Sequence, residues 1–261
     1  MIVSRPVRFT GNMAAHRGLL EALGGRILSD FGTWVVYSVG YGRIALHTAD
    51  ESSPAGSCML GFEADDIHLV AASAQATAPW GTRIRITEAT HGTTAMVTAA
   101  DGLTFTIDAL TLDPDTSGSD ERARDDDLRP SDTAADDGVR PGQLAVLPLW
   151  LTGQTEHAVD TLVALGARER VRADSGNWVD LRTDAGLVAV HRAEHTAVTL
   201  SFEYAGDVEK LIEPLRDAGH EANVIDEPHG RTLRVPDPDL DGAEVWINQT
   251  QSDLYTNHGA Q

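Results

Sequence analysis

LEALG at residues 20–24 has a counterpart in LVALG at residues 162–166, an offset of 142 residues. The preceding FTGN at residues 9–12 matches LTGQ at residues 151–154 at the same offset. Three further matches keep the order with small drifts in offset: Trp34 with Trp178, IALH at 44–47 with VAVH at 188–191, and Phe62-Glu63 with Phe202-Glu203. Such drift is typical of a duplication followed by small loop changes. The sequence therefore predicts two diverged copies of one structural unit.

Each copy contains the same order of predicted elements twice. In the first copy, a strand at residues 7–10 leads to a helix at residues 16–23, and Gly24-Gly25 ends this helix as C-terminal glycines do. Three β-rich runs separated by glycine-containing turns follow. The other predicted helices are at residues 66–77, 157–165 and 208–218. The predicted fold class is α+β, with four βαβββ modules at residues 1–52, 53–112, 143–196 and 197–252.

An acidic segment separates the two copies. Residues 113–142 read DPDTSGSDERARDDDLRPSDTAADDGVRPG and contain few large apolar residues. Such a segment buries too little surface to offset its conformational entropy. We therefore expect an acidic disordered linker between domains at residues 1–112 and 143–252, with a partner-binding tail as the alternative reading.

Charge and cysteine content narrow the class of protein. The formal net charge of -20 disfavours nucleic acid and anionic membranes, which both bind clustered Lys and Arg. The single cysteine, Cys58, has no partner for an internal disulfide, and the N-terminus lacks the apolar core of a secretory signal. No apolar run approaches the roughly 18 residues that cross a bilayer. These features predict a cytoplasmic protein that binds neither nucleic acid nor membrane.

The chain resembles the vicinal oxygen chelate superfamily, which includes glyoxalase, bleomycin-resistance and extradiol-dioxygenase proteins. The resemblance rests on the paired βαβββ modules together with three short segments: FEADD at 62–66, DEPHGR at 226–231 and DPDLDG at 237–242. It covers both halves and omits the linker. It implies that each half curls its two modules into a cup-shaped mixed β-sheet with a ligand cavity on the concave side.

Enzymes of this superfamily hold one divalent metal through a His or Gln on a first strand and a Glu on a fourth strand. The matching positions in this chain are Arg5, Met59, Leu147, Thr106 and Trp246, none of which is a good ligand. His47 and His191 lie one residue from such positions, but a catalytic metal needs about three protein groups. We therefore expect no metal and no cofactor. The alternative is that the alignment is shifted by one residue, so that His47 or His191 is a metal ligand.

The remaining candidates are aromatic. No glycine-rich phosphate loop, GxSxG or HExxH motif occurs, and Cys58 is read as an inert thiol. Strand alternation places Trp34 and Tyr37 on opposite faces of one strand. Aromatic walls with a few polar groups are typical of small-molecule sites. The predicted ligand-binding residues are Trp34, His47, Phe105, Trp150, Trp178, His191 and Trp246.

These observations favour a metal-free protein of the glyoxalase/bleomycin-resistance type that binds a small molecule, either a drug or a metabolite. The first alternative is a metal-dependent lyase, isomerase or dioxygenase of the same fold. The second is a non-catalytic structural or regulatory partner protein. Fusion of the two copies in one chain supplies both units at high effective concentration, as a dimer otherwise would. We therefore expect a monomer with two pseudo-repeated domains, with a homodimer as the alternative.

Overall fold

The computed structural model describes residues 1–89, 92–111, 139–227 and 230–250. The predicted linker falls outside the described residues except for its last four, 139–142, among which Val139 is buried. Among the described residues, no helix is both long and apolar enough to span a membrane.

The described residues of the first half form ten strands and two helices in the order expected for two βαβββ modules. In chain order they are β1 (Ile2–Ser4), β2 (Val7–Thr10), α1 (Met13–Ala22), β3 (Arg26–Asp30), β4 (Trp34–Ser38), β5 (Arg43–Thr48), β6 (Cys58–Met59), β7 (Gly61–Ala64), α2 (Ile67–Thr77), β8 (Arg83–Ala89), β9 (Gly92–Thr98) and β10 (Thr104–Ala109).

The second half repeats this order. Its elements are β11 (Leu144–Val146), β12 (Leu149–Thr152), α3 (Thr155–Ala164), β13 (Arg168–Arg172), β14 (Trp178–Arg182), β15 (Leu187–Arg192), β16 (Ala197–Thr199), β17 (Ser201–Tyr204), a 3-10 turn (Val208–Leu211), α4 (Ile212–Asp217), β18 (Asn223–Glu227), β19 (Gly230–Pro236) and β20 (Glu244–Gln249). The α+β class and the four modules are thereby confirmed.

Each module forms one five-stranded mixed sheet, and the fifth strand comes from the other module of the same half. The strand orders are β3-β4-β5-β2-β6 and β1-β7-β10-β9-β8 in the first half, and β13-β14-β15-β12-β16 and β11-β17-β20-β19-β18 in the second. The first strand of each half therefore bends, and its two parts join different sheets. We call the concave face of β1–β10 the first cup and that of β11–β20 the second cup.

Short breaks in the chain separate strands that join different sheets. Leu147-Pro148 separates β11 from β12, and Leu60 separates β6 from β7. Pro6 and Pro148 stand at equivalent places in the two halves, where a residue without an amide hydrogen suits a break in the ladder.

Capping side chains and a proline determine where the helices begin and end. Asn12 caps α1 by accepting a hydrogen bond from the Ala15 amide at 3.3 Å, so α1 begins three residues before the predicted start. Asp66 caps α2 in the same way through the Leu69 amide. The helix predicted at residues 208–218 is instead a 3-10 turn followed by the short α4. Pro214 explains the change, because its ring conflicts with a regular helical turn below it.

The convex, helix-bearing faces of the sheets join the two halves. α2 packs near α3, and the core between them contains Phe105 and Trp150. α1 packs near α4, over a second core that contains Tyr37 and Phe202. Each of these cores therefore combines one module from each half, and the opposite faces of the same sheets form the cups.

Candidate functional site

The second cup encloses a cavity of about 650 Å³, which is in the usual size range of small-molecule sites. Leu149 and Leu151 of β12 and Trp178 of β14 line it, and Trp246 of β20 lines it from the other module. Trp246 is 39% exposed, so part of its indole is available for contact. The walls are mainly apolar and come from both modules of the second half.

A buried charged group lies on the lining of this cavity. Arg170 of β13 donates to Glu203 at 2.9 and 2.5 Å and also pairs with Asp180 of β14. The Thr250 hydroxyl donates a further hydrogen bond to Glu203 at 3.0 Å. Two nearly buried carboxylates therefore share one guanidinium in the second cup.

Some hydrogen-bonding atoms of this charged group have no partner among the described residues. Within the described chain, Asp180 Oδ1 and Arg170 Nε are buried without a hydrogen-bond partner. Burial raises the pKa of Asp180 above its ordinary value, the Arg170 charge opposes the rise, and the neighbouring Glu203 adds to it. An extra positive charge or hydrogen-bond donor beside Asp180 would thus be stabilised.

The first cup contains a related group with a different charge balance. Arg5 Nε lies 3.0 Å from Glu63 Oε1, and Arg5 also pairs with Asp108. Arg43 pairs with Glu63 and donates to the Thr111 carbonyl at 2.7 Å, while the Thr111 hydroxyl donates to Glu63 at 2.6 Å. Two guanidinium groups here face two carboxylates.

Strand registers show which residues of the two cups are equivalent. Glu63 pairs with Val3 as Glu203 pairs with Ala145, and Trp34 pairs with His47 as Trp178 pairs with His191. Continuing these registers by two residues places Leu147 where the first cup has Arg5. Likewise, the strand pairs of β10 with β7 and of β20 with β17 match Asp108 with Asn248. The first cup is thus occupied by its own arginine at the point where the second has a leucine and a cavity.

A third polar cluster lies on the helix side of the sheets, where module 4 meets α1. Asp239, in the turn before β20, accepts hydrogen bonds from the Gly11 amide at 2.9 Å and the Thr10 hydroxyl at 3.0 Å. His16 Nε2 lies 2.8 Å from the same carboxylate and donates to it, since a carboxylate only accepts. Arg8 lies 2.5 Å from Asp237.

Burial governs the protonation of this cluster. Burial and then the Arg8 charge lower the pKa of His16 below its ordinary value, and both effects outweigh Asp239. Burial acts to raise the pKa of Asp239, but the charge that His16 carries once it is protonated at low pH and the hydrogen bonds from Thr10, His16 and Gly11 outweigh it, so this pKa is lowered. A neutral imidazole bound to an ionised carboxylate therefore links α1 to module 4.

The donor set does not fit the divalent metal that the superfamily resemblance implies. Among residues 1–89, 92–111, 139–227 and 230–250, one group offers three close His, Cys, Asp or Glu ligand atoms: His16, Asp237 and Asp239. This group lies outside both cups, and Arg8 already pairs with both of its carboxylates. In the second cup, Asp180 and Glu203 both pair with Arg170, and among the described residues no third His, Cys, Asp or Glu ligand atom joins them to complete a metal site.

The structure divides the seven predicted ligand-binding residues among three places. Trp178, His191 and Trp246 line the cavity of the second cup. Trp34 and His47 lie on the equivalent surface of the first cup, where their rings meet edge-on at 5.6 Å. His47 also places Nδ1 2.7 Å from the Thr48 carbonyl oxygen.

Phe105 and Trp150 correct the prediction, because both are fully buried in the convex core between α2 and α3. Strand alternation explains this, since their neighbours Thr106 and Leu149 take the opposite face. The Trp150 indole N–H donates to Asp101 at 2.9 Å, which satisfies its polar atom within the core.

Sequence reasoning did not identify Arg170, Asp180 and Glu203. The sequence around Asp180 could have pointed to this group. An acidic residue between Val179 and Leu181 in a predicted strand faces away from the apolar core, on the side where a site can form. Glu203 gave a second indication, since it repeats Glu63 at the same place in the other half. The thiol of Cys58 behaves as expected of an inert one, because burial raises its pKa to about 12.

No protein-family model and no curated protein matches the sequence. Solved structures do match. A Mn(II)-bound glyoxalase from Novosphingobium aromaticivorans has a TM-score of 0.58 at 14% identity, over 96% of this chain and 81% of that one. The chain has the vicinal oxygen chelate fold. Its four five-stranded sheets fit two tandem domains of this fold, and likeness at this identity concerns the fold alone.

Two further structures with this fold are dioxygenases. A variant of homoprotocatechuate 2,3-dioxygenase from Brevibacterium fuscum has a TM-score of 0.58 at 13% identity, over 98% of this chain and 72% of that one. Homoprotocatechuate 2,3-dioxygenase from Arthrobacter globiformis gives the same score and identity over 98% and 80%. The predicted resemblance to the vicinal oxygen chelate superfamily is thereby confirmed at the level of the fold.

Proposed function

We propose that the second cup binds a small organic molecule and that this binding, without metal chemistry, is the function of the chain. The observation that carries the proposal is the cavity of about 650 Å³ with apolar walls and a buried charged group on its lining. Leu149, Leu151, Trp178 and Trp246 supply the apolar contact, and Asp180 supplies a polar atom that fixes orientation.

The first cup has a structural role in this proposal. Arg5 and Arg43 bring two guanidinium groups to its carboxylates Glu63 and Asp108, so both carboxylates are engaged by the chain itself. The first cup is filled by its own side chains and the second contains the cavity, so each chain has room for one ligand. We therefore expect a stoichiometry of one.

A thermal-shift screen of aromatic and drug-like compounds tests the binding function, because a ligand that binds only the folded state raises the melting temperature. Thr199→Trp places an indole on an exposed residue of the cavity lining and should abolish the shift. Thr196→Trp, on a nearby exposed residue that does not line the cavity, should keep it. Failure of every compound to shift the midpoint, or equal shifts in both variants, would refute the proposal.

Metal analysis tests the competing enzyme reading, which the likeness to a Mn(II)-bound glyoxalase keeps in view. Purified chain dialysed against Mn²⁺, Fe²⁺ or Zn²⁺ and then against buffer should retain far less than one ion per chain. Retention of one ion per chain that is lost in Glu203→Gln would place a metal in the second cup and overturn the metal-free proposal. Glu221→Gln, on an exposed surface, is the matched control.

A further inference from the structure

The first cup shows how this architecture binds a cation. The Arg5 guanidinium stands over the Trp34 ring at 5.1 Å from its centroid and pairs with Glu63 and Asp108. An aromatic face and a carboxylate together are a common environment for a guanidinium. Arg5 is 1% exposed, so the arrangement is a fully enclosed cation site filled from within the chain.

The second cup keeps most of this environment, although its own guanidinium, that of Arg170, comes from a different strand. Trp178 and Glu203 are the equivalents of Trp34 and Glu63, and both line the cavity. Asp180 adds a carboxylate where the first cup has the apolar Val36. Leu147 stands in the place of Arg5 and also lines the cavity.

The charges of the two cups differ accordingly. In the first, two guanidinium groups face the carboxylates of Glu63 and Asp108. In the second, Arg170 is the one guanidinium among the described residues that is seen to pair with the carboxylates of Asp180 and Glu203. Asp180 Oδ1 has no partner among the described residues, and a buried carboxylate oxygen without a partner is unfavourable. Glu244, a further carboxylate on the lining, is matched by Arg234 at 3.3 Å.

We propose that the second cup binds an organic cation whose guanidinium, amidinium or protonated amine occupies, beside Trp178, Asp180 and Glu203, the place that the Arg5 guanidinium takes in the first cup. The inference rests on the proposed binding function and names the chemical class of its ligand. The apolar remainder of that ligand contacts Leu149 and Trp246. One added positive charge gives the second cup the balance that the first cup already has.

Benzamidine, an aromatic amidinium, and benzamide, its neutral near-isostere, test the charge requirement on the full chain. Calorimetric titration should give benzamidine at least about tenfold higher affinity, since charge-assisted hydrogen bonds are the stronger ones. Asp180→Asn should weaken benzamidine binding by about tenfold or more. Glu221→Gln removes one negative charge from an exposed site and should leave the affinity unchanged.

Leu147→Arg tests the comparison between the cups directly. The new guanidinium should take the position of Arg5 and compete with the ligand, so benzamidine binding should be lost while the melting temperature is kept or raised. Leu147→Met retains an apolar side chain of similar volume and should bind as the parent does. Asp180→Asn answers the same question if Leu147→Arg does not fold.

The outcomes separate the two proposals. Equal affinity for benzamide and benzamidine, binding of neutral aromatics alone, or benzamidine binding that Asp180→Asn leaves unchanged overturns the cation inference and leaves the binding function standing. Absence of binding by both probes and by every compound of the thermal-shift screen removes the binding function, and the cation inference with it.

Discussion

Arg5 and Leu147 occupy equivalent positions at the bend of the first strand in the two halves, and both side chains are almost completely buried. The arginine fills the first cup and joins its carboxylates, whereas the leucine is part of the lining of an open cavity. At this repeated position the first cup is therefore filled by its own side chain, whereas the second cup contains a cavity.

Arg5→Leu should destabilise the chain strongly. The change leaves Glu63, which is 1% exposed, with Arg43 as its one remaining guanidinium partner among the described residues and removes the charge beside Asp108. Removing one member of a buried ion pair costs about 3–5 kcal/mol, because the other member stays buried without compensation. Urea denaturation of parent and variant measures the difference.

Arg83→Leu is the matched control, since Arg83 is exposed on β8 and its replacement should change the free energy of unfolding by less than about 0.5 kcal/mol. A loss in Arg5→Leu as small as that of the control would show that the first cup does not depend on its internal cation.

Much of this architecture could be predicted from sequence because it depends on local patterns. Repeated strand and helix patterns around Trp34 and Trp178 gave the four modules, and alternation separated Trp34 from Tyr37. The buried charged group of the second cup could not be predicted in the same way. The contacts of Arg170 with Asp180 and Glu203 join three strands across two modules, and a bulge between Glu169 and Val171 in β13 resets the alternation at Arg170. Phe105 and Trp150 were misplaced because composition does not say which face of a strand is the core.

Acidification should weaken the junction between α1 and module 4. Because the pKa of His16 is lowered in the folded chain, the unfolded chain binds more protons below the ordinary histidine value of 6.5. The stability from this group is thus present above pH 6.5 and is lost as the pH falls below it. The lowered pKa of Asp239 adds a second loss as the pH falls below 3.8 towards the folded-state pKa.

His16→Gln, with an amide in place of the imidazole, should flatten the dependence of the melting temperature on pH between about 5 and 7. His157→Gln, on an exposed residue of α3, should leave the slope as it is in the parent. Equal slopes in parent and His16→Gln would show that the buried imidazole does not set this dependence. His220, whose pKa burial also lowers, contributes alike to parent and variants and cancels in the comparison.

Gly42→Ala should disrupt the contact between the two halves. Gly42 has a φ of +99°, and a Cβ there would lie 2.4 Å from Val146 Cγ1 and 2.9 Å from the Cα of Gly186, its counterpart in the repeat. Overpacking of this kind costs about 1–3 kcal/mol in addition to the strain of positive φ. Gly32→Ala shares the positive φ, at +77°, but has open space around it. Thermal denaturation should show the larger loss for Gly42→Ala, and equal losses would mean that the halves are not in close contact there.

Trp246→Ala should weaken ligand binding more than it weakens the fold. The indole of Trp246 lies on the cavity lining, is 39% exposed, and has the Arg234 guanidinium 5.0 Å from its ring centroid. Its removal takes away an aromatic contact, which is worth about tenfold in affinity, but little buried core. Calorimetric titration with a compound from the thermal-shift screen measures the first effect, and denaturation of the free protein measures the second.

Trp80→Ala completes the comparison, because Trp80 is 93% exposed and does not line the cavity. It should change neither affinity nor stability. If Trp246→Ala binds the compound as tightly as Trp80→Ala does, then the ligand does not reach β20. The binding surface would in that case be confined to Leu149, Leu151 and Trp178 in module 3, and the second cup would not act as one site shared by two modules.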